Sequence, residues 1–397
     1  MRILQRFFRS RGVRKLARNR LAMFALAIVL FYGVVAAAIL LFRLVPLEAT
    51  RERVGPQNLP GFFANPSPER RLEHADYYLG LLLRQLKEED PARALRSIAL
   101  AERRVVDKPL AEIRDALEKA SALYEDMVDR DELYDDAQVA AVIPDIERLE
   151  SMVDSLFVVP ADSSTIYSMR LLFGTDRQGR SIFMRAIYSV KVAVQVGAVV
   201  ALVSVILGSF LGAAAAFFGG WVDHAVIWLY STFSAIPSLV LLLVLVYMFT
   251  DTFVEGTIYT IYCAFCMTFW IGPCRVVRGE TLRLKELEYV QAAKTAGFGR
   301  FYILLRHVLP NTAHLMFINF SLLFIGAIKS EVILSFLGLG IKNEPSWGIM
   351  INQSRPEVIN GFFWQIGAAT AFMFVLVLAF NILTDALQDA FDPKHLG

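Results

Sequence analysis

The sequence has little charge, little cysteine and little histidine, and each shortage narrows the class of protein. Only 20% of the 397 residues are charged and 56% are hydrophobic, which is too apolar for an ordinary soluble domain. The three cysteines, Cys263, Cys266 and Cys274, lie in or beside one apolar run. Their C-x-x-C spacing therefore indicates small apolar helix residues rather than a redox or metal site. Together with long uncharged runs, this composition predicts a polytopic membrane protein.

Sequence signatures of catalysis and of ATP binding are also missing. The five histidines show no H-E-x-x-H or other metal-ligand spacing, and there is no nucleophile elbow. We therefore expect no catalytic residue, no metal, no cofactor and no nucleic-acid partner. The G-x-x-x-x-G-K-[ST] phosphate loop is absent, so the chain cannot bind ATP by that device. Any energy from ATP has to arrive through a partner.

Basic residues precede the first long apolar run. Residues 1–20 contain eight Arg and Lys, and residues 21–42 then form an uncharged run of 22 residues. That length crosses about 30 Å of hydrocarbon and exceeds the ~7–15 apolar residues of a signal peptide. We expect an uncleaved first transmembrane helix over 21–45, and the basic flank predicts that residues 1–20 lie in the cytoplasm.

Residues 46–165 are acidic and are expected outside the membrane. They contain 15 Lys and Arg against 25 Asp and Glu, a net charge of −10. The rest of the chain has 25 against 13, a net charge of +12. Leu72, Leu79 and Leu86 recur every seven residues, a spacing typical of packed helices. We expect a small bundle or hairpin of three or four helices, without disulfides because this region has no cysteine.

Five further apolar segments follow and complete the predicted all-α architecture. With the first helix they give six crossings, which place both termini and the loop 275–311 in the cytoplasm. That loop carries seven Lys and Arg, whereas the outer turn 251–256 carries two acidic residues and no basic one; this bias agrees with the positive-inside rule. The five segments centre on residues 188–218, 225–250, 257–277, 312–338 and 362–386.

A polar, amphipathic segment between two of these runs predicts a pair of short helices. Gly297 is a natural stop for the first helix, and Pro310 ends the second. Two short helices joined at a glycine make a rigid elbow that fits a groove on a partner protein, and we call residues 284–311 the elbow. Apolar residues recur at helical spacing on one side of each helix: Leu284, Leu287, Val290 and Ala293, then Phe301, Leu304, Leu305 and Val308.

The elbow resembles the cytoplasmic coupling loop, or EAA loop, of ABC-importer permeases. It matches that pattern at Ala292, Ala293 and Gly297 and in its Leu-Pro-Asn close. It departs from the pattern at Gln291, where the family has Glu, and at His307, where an apolar residue is usual. The resemblance assigns contact with an ATPase to Glu288, Gln291, Ala292, Ala293, Gly297, His307 and Pro310.

Four more stretches resemble the C-type membrane subunits of dipeptide and oligopeptide permeases. They are GTDRQGR at 174–180 with Ser181 in place of a final Asp, Glu331 with LSFLGLG at 334–340, PSWG at 345–348, and LVLAFNILTDALQDAFDPK at 376–394. The resemblance covers residues 1–45 and 166–397, so residues 46–165 are an insertion that the family pattern lacks. The expected organisation is a basic N-terminus (1–20), a first transmembrane helix (21–45), the helical insertion (46–165) and a permease core (166–397) that contains the loop 275–311.

What the resemblance implies is a transport subunit of an ATP-driven importer of di- or oligopeptides, and not an enzyme. It would form half of the translocation pathway beside a homologous permease subunit in membrane lipid, with two cytoplasmic ATPases and an extracytoplasmic solute-binding protein. Alternatives are another solute, such as nickel or a sugar-linked peptide, export instead of import, or a membrane scaffold or signalling protein that acts through its outer helical region. The elbow argues against a scaffold, which does not need such a hairpin.

Lys329, Glu331 and Pro237 lie within apolar spans and are candidates for the translocation pathway. Lys329 and Glu331 are charges in one span, where a charge at the bilayer centre costs about 2.5–3.5 kcal/mol on insertion scales. Two residues apart on a helix, they do not face each other. Glu331 either lines the pathway near its outer end or hydrogen-bonds a neighbouring helix, and both interpretations stay open. Pro237 and Pro273 interrupt spans, either as gating kinks or as packing kinks.

Several other residues have structural interpretations. Gly208, Gly212, Gly219 and Gly220 are expected at close helix contacts. Asp176 and Arg180, four residues apart, predict a local ion pair. For the insertion, one hypothesis is that residues 69–157 form an arm that docks the solute-binding protein or another envelope component; the other is a solvated appendage that shields the outer mouth.

Overall fold

A computed structural model describes the chain at residues 19–51, 54, 57–61, 80, 105–106, 111, 115, 118–119, 122, 157–158 and 169–391. The regular elements within these residues are helices, apart from one two-residue antiparallel pairing and an isolated bridge between Thr175 and Ser181, which confirms the predicted all-α class. Helix α1 is Arg20–Phe42, and it begins at Asn19, whose side chain accepts hydrogen bonds from the backbone N–H groups of Leu21 and Ala22 at 3.1 and 3.2 Å. Its 23 residues extend about 35 Å, enough to cross a bilayer.

The longer of the remaining helices lie on the predicted apolar segments. In chain order, all the remaining helices are α2 (Ile182–Phe218), α3 (Gly220–Ser234), α4 (Ser238–Tyr247), α5 (Ile258–Phe269), α6 (Ile271–Leu284), α7 (Glu288–Thr295), α8 (Arg300–Ile303), α9 (Ala313–Phe336), α10 (Trp347–Gln353), α11 (Arg355–Ile359) and α12 (Trp364–Phe391). The short helices α7, α8, α10 and α11 lie between the predicted segments. Five helical runs in the described part of the chain are long and apolar enough to cross a membrane. The count becomes six, as predicted, when the bent pair of α3 and α4 is one broken span.

The break between α3 and α4 lies at Pro237. The two helices meet at an angle of 89°, and Pro237 has an extended backbone (φ −54°, ψ 130°) ahead of the first residue of α4. Proline lacks the N–H that would continue the helical ladder, and it biases the preceding residue away from helical geometry. The predicted kink at Pro237 is therefore present.

Pro273 has a smaller effect on its span. It is the third residue of α6, and the helix is interrupted only at Trp270, between α5 and α6. A proline at 273 cannot donate a hydrogen bond to the carbonyl of Phe269 four residues earlier, and α5 ends at that residue. The two helices still count as a single span.

Two of the four predicted glycines lie at close helix contacts. A Cβ on Gly208 would meet the backbone of Trp270 and Cys274, and one on Gly212 would meet the backbone of Cys274. Gly219 and Gly220 differ from the prediction, because nothing lies within 4 Å of a Cβ at either position. Their positive φ angles, +67° and +53°, instead make the turn between α2 and α3.

Most of the predicted helical bundle lies outside the described residues. What is described between 46 and 165 includes a 3₁₀ turn at Glu48–Thr50 and strands β1 (Val105–Val106) and β2 (Phe157–Val158). Val105 pairs with Val158 and Val106 with Phe157. Sequence reasoning missed this pairing, because two residues are too few to show the alternation that identifies a strand.

The described residues divide into two compact units. The first comprises the chain up to Leu44, the segment Ile187–Asn352 and the chain from Ala369 onward, and it contains the elbow and the candidate pathway residues. The second comprises Val45–Ala186 and Gln353–Ala368, and it contains the GTDRQGR stretch.

Candidate functional site

The elbow begins where α6 ends. The first elbow helix, α7, starts at Glu288 rather than at Leu284, because Leu284 is still part of α6 and Leu287 has an extended backbone (φ −71°, ψ 144°). Helix α8 passes into a π-helical turn at Leu304–Val308 and a 3₁₀ turn at Leu309–Thr312 before α9 begins. Pro310 has no N–H for the carbonyl of Arg306, so regular helical bonding cannot continue through this point.

Gly297 makes the corner of the elbow. Its φ is +79°, in the left-handed region that favours glycine. The N–H of Gly297 donates to the carbonyl of Lys294 at 3.1 Å, and the N–H of Phe298 donates to the carbonyl of Ala293 at 3.2 Å. These two bonds form a Schellman motif, which satisfies the last carbonyls of α7 and fixes the direction in which the chain leaves it. The predicted helix stop is confirmed.

The inner face of the elbow is buried against the helices beside it. Of the residues predicted to share one side of each helix, Leu284, Val290, Ala293, Leu304 and Val308 are buried. Leu287, Phe301 and Leu305 are exposed, and Ile303, which was not in the predicted set, is fully buried. The cluster that holds the elbow contains Ala213, Val277, Leu284, Val290, Ala293, Ile303, Leu304 and Val308. It joins the elbow to α2 through Ala213 and to α6 through Val277.

The opposite side of the elbow is apolar but exposed, and we call its residues the outer face. Phe298 and Tyr302 stack with ring centroids 5.3 Å apart, although about half of each residue is exposed. The ring of His307 lies edge-on to Tyr302 at 6.0 Å. Exposed apolar and aromatic patches of this kind mark surfaces that bind other proteins. The outer face consists of Leu287, Tyr289, Phe298, Tyr302 and Leu305. Phe301 is also exposed, but its ring lies edge-on to that of Phe210 on α2, with centroids 6.5 Å apart.

Gln291 has a contact that accounts for its departure from the family pattern. Its side-chain amide donates to the carbonyl of Lys285 at 2.9 Å, at the end of α6. A glutamate at this position would be ionised and would have no hydrogen to donate. The amide therefore ties α7 to α6 by a bond that the usual carboxylate cannot form.

The other predicted elbow residues have distinct positions. Glu288 is exposed in the first turn of α7, where a negative charge is favourable to the helix dipole. Ala292 is exposed and Ala293 is buried. Pro310 lies in the 3₁₀ turn, and the side chain of Asn311 donates to the carbonyl of His307 at 2.6 Å and to the hydroxyl of Tyr289 at 3.0 Å.

A bidentate ion pair lies on the helix that leads into the elbow. Arg278 on α6 donates from Nε and Nη2 to the two carboxylate oxygens of Asp223 on α3, each at 2.7 Å. Fork-to-fork geometry of this kind is among the stronger and more directional side-chain contacts. Sequence reasoning missed this pair, because the partners are 55 positions apart and neither belongs to a chemical motif. It fixes α6 to the first half of the broken span.

Glu331 is buried, with 1% of its surface exposed. Ser335 Oγ donates to its carboxylate at 2.6 Å, and the side chain of Ser346 also hydrogen-bonds to it. A Cβ on Gly348 would lie 2.6 Å from Ser335 Cβ, so the start of α10 approaches α9 closely. Its described partners are thus the next turn of its own helix and the following loop, rather than a neighbouring helix.

Lys329 differs from Glu331 in its exposure and in its contacts. It is exposed, and within the described residues no ion pair or hydrogen bond of its ammonium group is found. The expectation that Lys329 and Glu331 do not pair is confirmed, because Glu331 is bonded to Ser335 and Ser346 instead.

Ion pairs attach the loop after α9 to other parts of the same unit. Lys191 on α2 contacts Glu344 at 2.9 Å and the hydroxyl of Tyr188 at 3.0 Å. Lys342 contacts Glu255 at 2.6 Å, and the hydrogen bond from Lys342 holds the pKa of Glu255 below its usual value. Glu255 is one of the two acidic residues of the predicted outer turn.

Within the second unit, Asp176 of the GTDRQGR stretch is the centre of a buried polar cluster. The predicted pair with Arg180 is confirmed, at 2.7 Å, and Arg185 contacts the same carboxylate. Arg185 also donates to the side-chain oxygens of Gln353, at 2.5 Å, and Gln365, at 3.3 Å. Asp176 therefore neutralises a buried guanidinium and closes its own loop, which is a structural role.

Glu357 lies beside this cluster. Its carboxylate accepts a hydrogen bond from the backbone N–H of Arg177 at 2.7 Å, and burial raises its pKa.

Comparison with known proteins gives consistent matches. Residues 182–396 match the family model described as "binding-protein-dependent transport system inner membrane component". The chain is 36% identical to the dipeptide transport system permease protein DppC of Bacillus subtilis over 223 residues. These residues are 56% of this chain and 68% of that protein. It is 32% identical over 223 residues to the oligopeptide transport system permease protein OppC of Bacillus subtilis, covering 56% and 71%. It is 34% identical over 222 residues to the glutathione transport system permease protein GsiD of Pectobacterium atrosepticum, covering 56% and 72%.

Proposed function

This chain belongs to the family of binding-protein-dependent transport system inner membrane components, and from this premise we propose that it imports di- or oligopeptides. It is a multi-pass inner-membrane subunit of an ABC importer, which works with ATPase and solute-binding partners. In our proposal it forms half of the translocation pathway beside one homologous permease subunit. Two ATPase subunits bind on the cytoplasmic side and one solute-binding protein binds outside.

The geometry of the elbow carries the mechanistic part of the proposal. Its inner face is packed into the membrane unit and its outer face exposes rings, so a partner that binds the outer face pushes on a firmly attached part. Force on the elbow reaches α6, which continues directly into it, and reaches α3 through the pair of Arg278 with Asp223. The elbow thus receives the ATPase stroke and passes it to the helices that form the pathway.

The orientation in the membrane follows from charge. Seven basic residues in 275–311 and eight in 1–20 support a cytoplasmic elbow and a cytoplasmic N-terminus. In our proposal the bent pair of α3 and α4 is one span, and the resulting six crossings support a cytoplasmic C-terminus and an outer location for residues 46–165.

The relatives' names support a peptide as the solute, since they are called dipeptide, oligopeptide and glutathione permeases. We assign Lys329, Glu331 and the break at Pro237 to the pathway. Lys329 would face it directly, whereas Glu331 would shape it by holding the loop after α9. No described feature favours nickel, export or a scaffold role.

The test uses the whole complex, with permease, ATPase and binding-protein subunits co-expressed. Phe298→Ser combined with Tyr302→Ser removes the stacked rings without touching the buried cluster. We expect roughly tenfold or greater loss of ATPase subunits that co-purify, since aromatic anchors dominate interface energies, with loss of peptide uptake and normal membrane insertion. Glu286→Ser, on an exposed residue outside the outer face, is the control.

Two results would contradict the proposal at different points. If the double variant associates with the ATPases and takes up peptide like the wild type, the outer face does not take part in coupling. A wild-type complex that hydrolyses ATP but takes up no di- or oligopeptide would remove the peptide assignment.

A further inference from the structure

The proposed function assigns Lys329 to the pathway but does not say what its ammonium group binds. It lies on α9, 16 residues after Ala313 and seven before Phe336. Leu322, Ile333 and Leu337 share its side of the helix at spacings of seven, four and eight residues, and all are exposed. The ammonium group therefore stands on an uncovered apolar face.

Nothing in the described part of the unit neutralises this cation. Glu331, the nearest acid in sequence, is buried and bonded to Ser335 and Ser346. Two residues apart on a helix, the side chains of Lys329 and Glu331 point in different directions. Among the residues that the structure describes, the ammonium group of Lys329 therefore has no acidic partner.

Contact with hydrocarbon is unfavourable for an ammonium group, and a lysine near a span end usually reaches the interface instead. Here the geometry opposes that solution. Helical side chains lean toward the N-terminus of their helix, and in the proposed orientation α9 runs outward. The nearer membrane surface lies beyond Phe336, which is about 10 Å from Lys329 along the helix axis. The side chain of Lys329 therefore leaves the helix in the direction opposite to that surface.

The side chain also has room where it leans. Gly326 lies one turn toward the N-terminus on the same side, and nothing is within 4 Å of a Cβ built on it. A lysine stem laid over this glycine leaves the ammonium group accessible to a solute, with apolar residues on either side. This combination suits a molecule that carries a carboxylate and apolar side chains, as peptides do.

We propose that Lys329 binds the C-terminal carboxylate of the peptide during its passage through the membrane. The inference rests on the proposed function, since it requires that α9 faces the pathway. A charge-assisted hydrogen bond to the carboxylate is strong enough to select for it.

The experiment compares two cargoes that differ only at the carboxylate. The complete complex is reconstituted in liposomes with its ATPases and binding protein, and uptake of one labelled tripeptide is measured as the free acid and as the C-terminal amide. All rates are measured at saturating binding protein, and each variant's uptake rate is divided by the wild-type rate for the same cargo. Because the binding protein is the same in every complex, its own preference between the two cargoes does not affect this ratio. We expect Lys329→Gln to lower uptake of the acid about tenfold or more and that of the amide less than twofold, while Lys329→Arg retains the preference. Ile333→Ala, one turn away on the same face, is the control and should affect both cargoes equally.

Each other result overturns the inference in a recognisable way. Equal slowing of both cargoes by Lys329→Gln means that the residue shapes the pathway without binding the carboxylate. Loss of the second permease subunit on purification means that Lys329 pairs with an acid of that subunit. Unchanged uptake together with weaker retention of anionic lipid identifies a lipid phosphate as its partner. Failure of the proposed function looks different, because the wild-type complex then takes up neither cargo.

Discussion

Ser335 shows how one small side chain organises the loop that follows α9. Its hydroxyl donates to buried Glu331, and its Cβ faces Gly348, where an added methyl group would be 2.6 Å away. The carbonyl of Val332 is equally close to that position. The L-S-F-L-G-L-G stretch therefore packs against the later P-S-W-G stretch, and the contact joins Ser335 to Gly348.

We predict that Gly348→Ala destabilises the protein. The new methyl group has no space beside Ser335 and the Val332 carbonyl, and overpacking of this kind costs about 1–3 kcal/mol. Thermal unfolding of the detergent-solubilised complex should show a lower midpoint and reduced yield. Gly279→Ala in α6, where a Cβ meets nothing within 4 Å, is the matched control and should be neutral or slightly stabilising. Equal midpoints for both variants would show that the contact at Gly348 relaxes without cost.

At the scale of elements, the elbow is held at its connections by backbone geometry and by one side-chain hydrogen bond. The corner at Gly297 is closed by two hydrogen bonds, and α7 is tied back to α6 by the amide of Gln291. The π-helical turn at Leu304–Val308 and Pro310 set the second change of direction. Because the elbow is held in this way, a displacement of its outer face moves the attached helices instead of deforming the elbow.

Gly297→Val should weaken the elbow and its association with the ATPases. A β-branched residue in the left-handed region costs about 1–2 kcal/mol, while the chain around Gly297 has space for the side chain itself. The expected result is reduced co-purification of ATPase subunits and slower uptake, with normal membrane insertion. Gly299→Val is a close control, because Gly299 has φ −59° and equal space. If both variants associate and transport like wild type, the glycine corner is not needed for coupling.

The two interrupted spans show that proline position decides the size of a break. Pro237 stands between α3 and α4, and the chain turns by 89° there. Pro273 lies inside the first turn of α6, where a missing N–H disturbs only the residue before the helix. The same residue type thus divides one span and leaves the other continuous.

At the scale of the whole molecule, charge is distributed very unevenly. Residues 46–165 carry −10 and the rest of the chain +12. Like charges on one compact region raise its own electrostatic energy, but they accelerate encounter with a basic partner. We therefore propose that the insertion contributes to capture of the solute-binding protein or another envelope component.

Replacement of residues 69–157 by a short flexible linker tests this proposal. Binding of the solute-binding protein to the complex should become weaker at low salt, with association slowed roughly tenfold or more, because electrostatic steering is lost. The difference should shrink as salt rises, since exposed charges are screened over about 10 Å at 0.1 M. Affinity, salt dependence and uptake that all match the full-length complex would leave the insertion as a solvated appendage.

The sequence by itself determined the membrane class, the spans and the elbow. Transfer of an apolar segment into lipid depends on the sum over that segment, so runs such as 21–42 are recognisable without knowledge of the fold. The stop at Gly297 and the kink at Pro237 are equally local, because each follows from the backbone of one residue.

The tertiary structure alone decided which side of each element is covered and which polar groups meet. Phe301 and Ile303 are both apolar, yet Ile303 is fully buried in the cluster around Val277, whereas Phe301 is half exposed and lies edge-on to Phe210 of α2. The pair of Arg278 with Asp223 joins residues 55 positions apart. Contacts of this kind depend on how distant elements pack together, and a local pattern in the sequence carries no record of that.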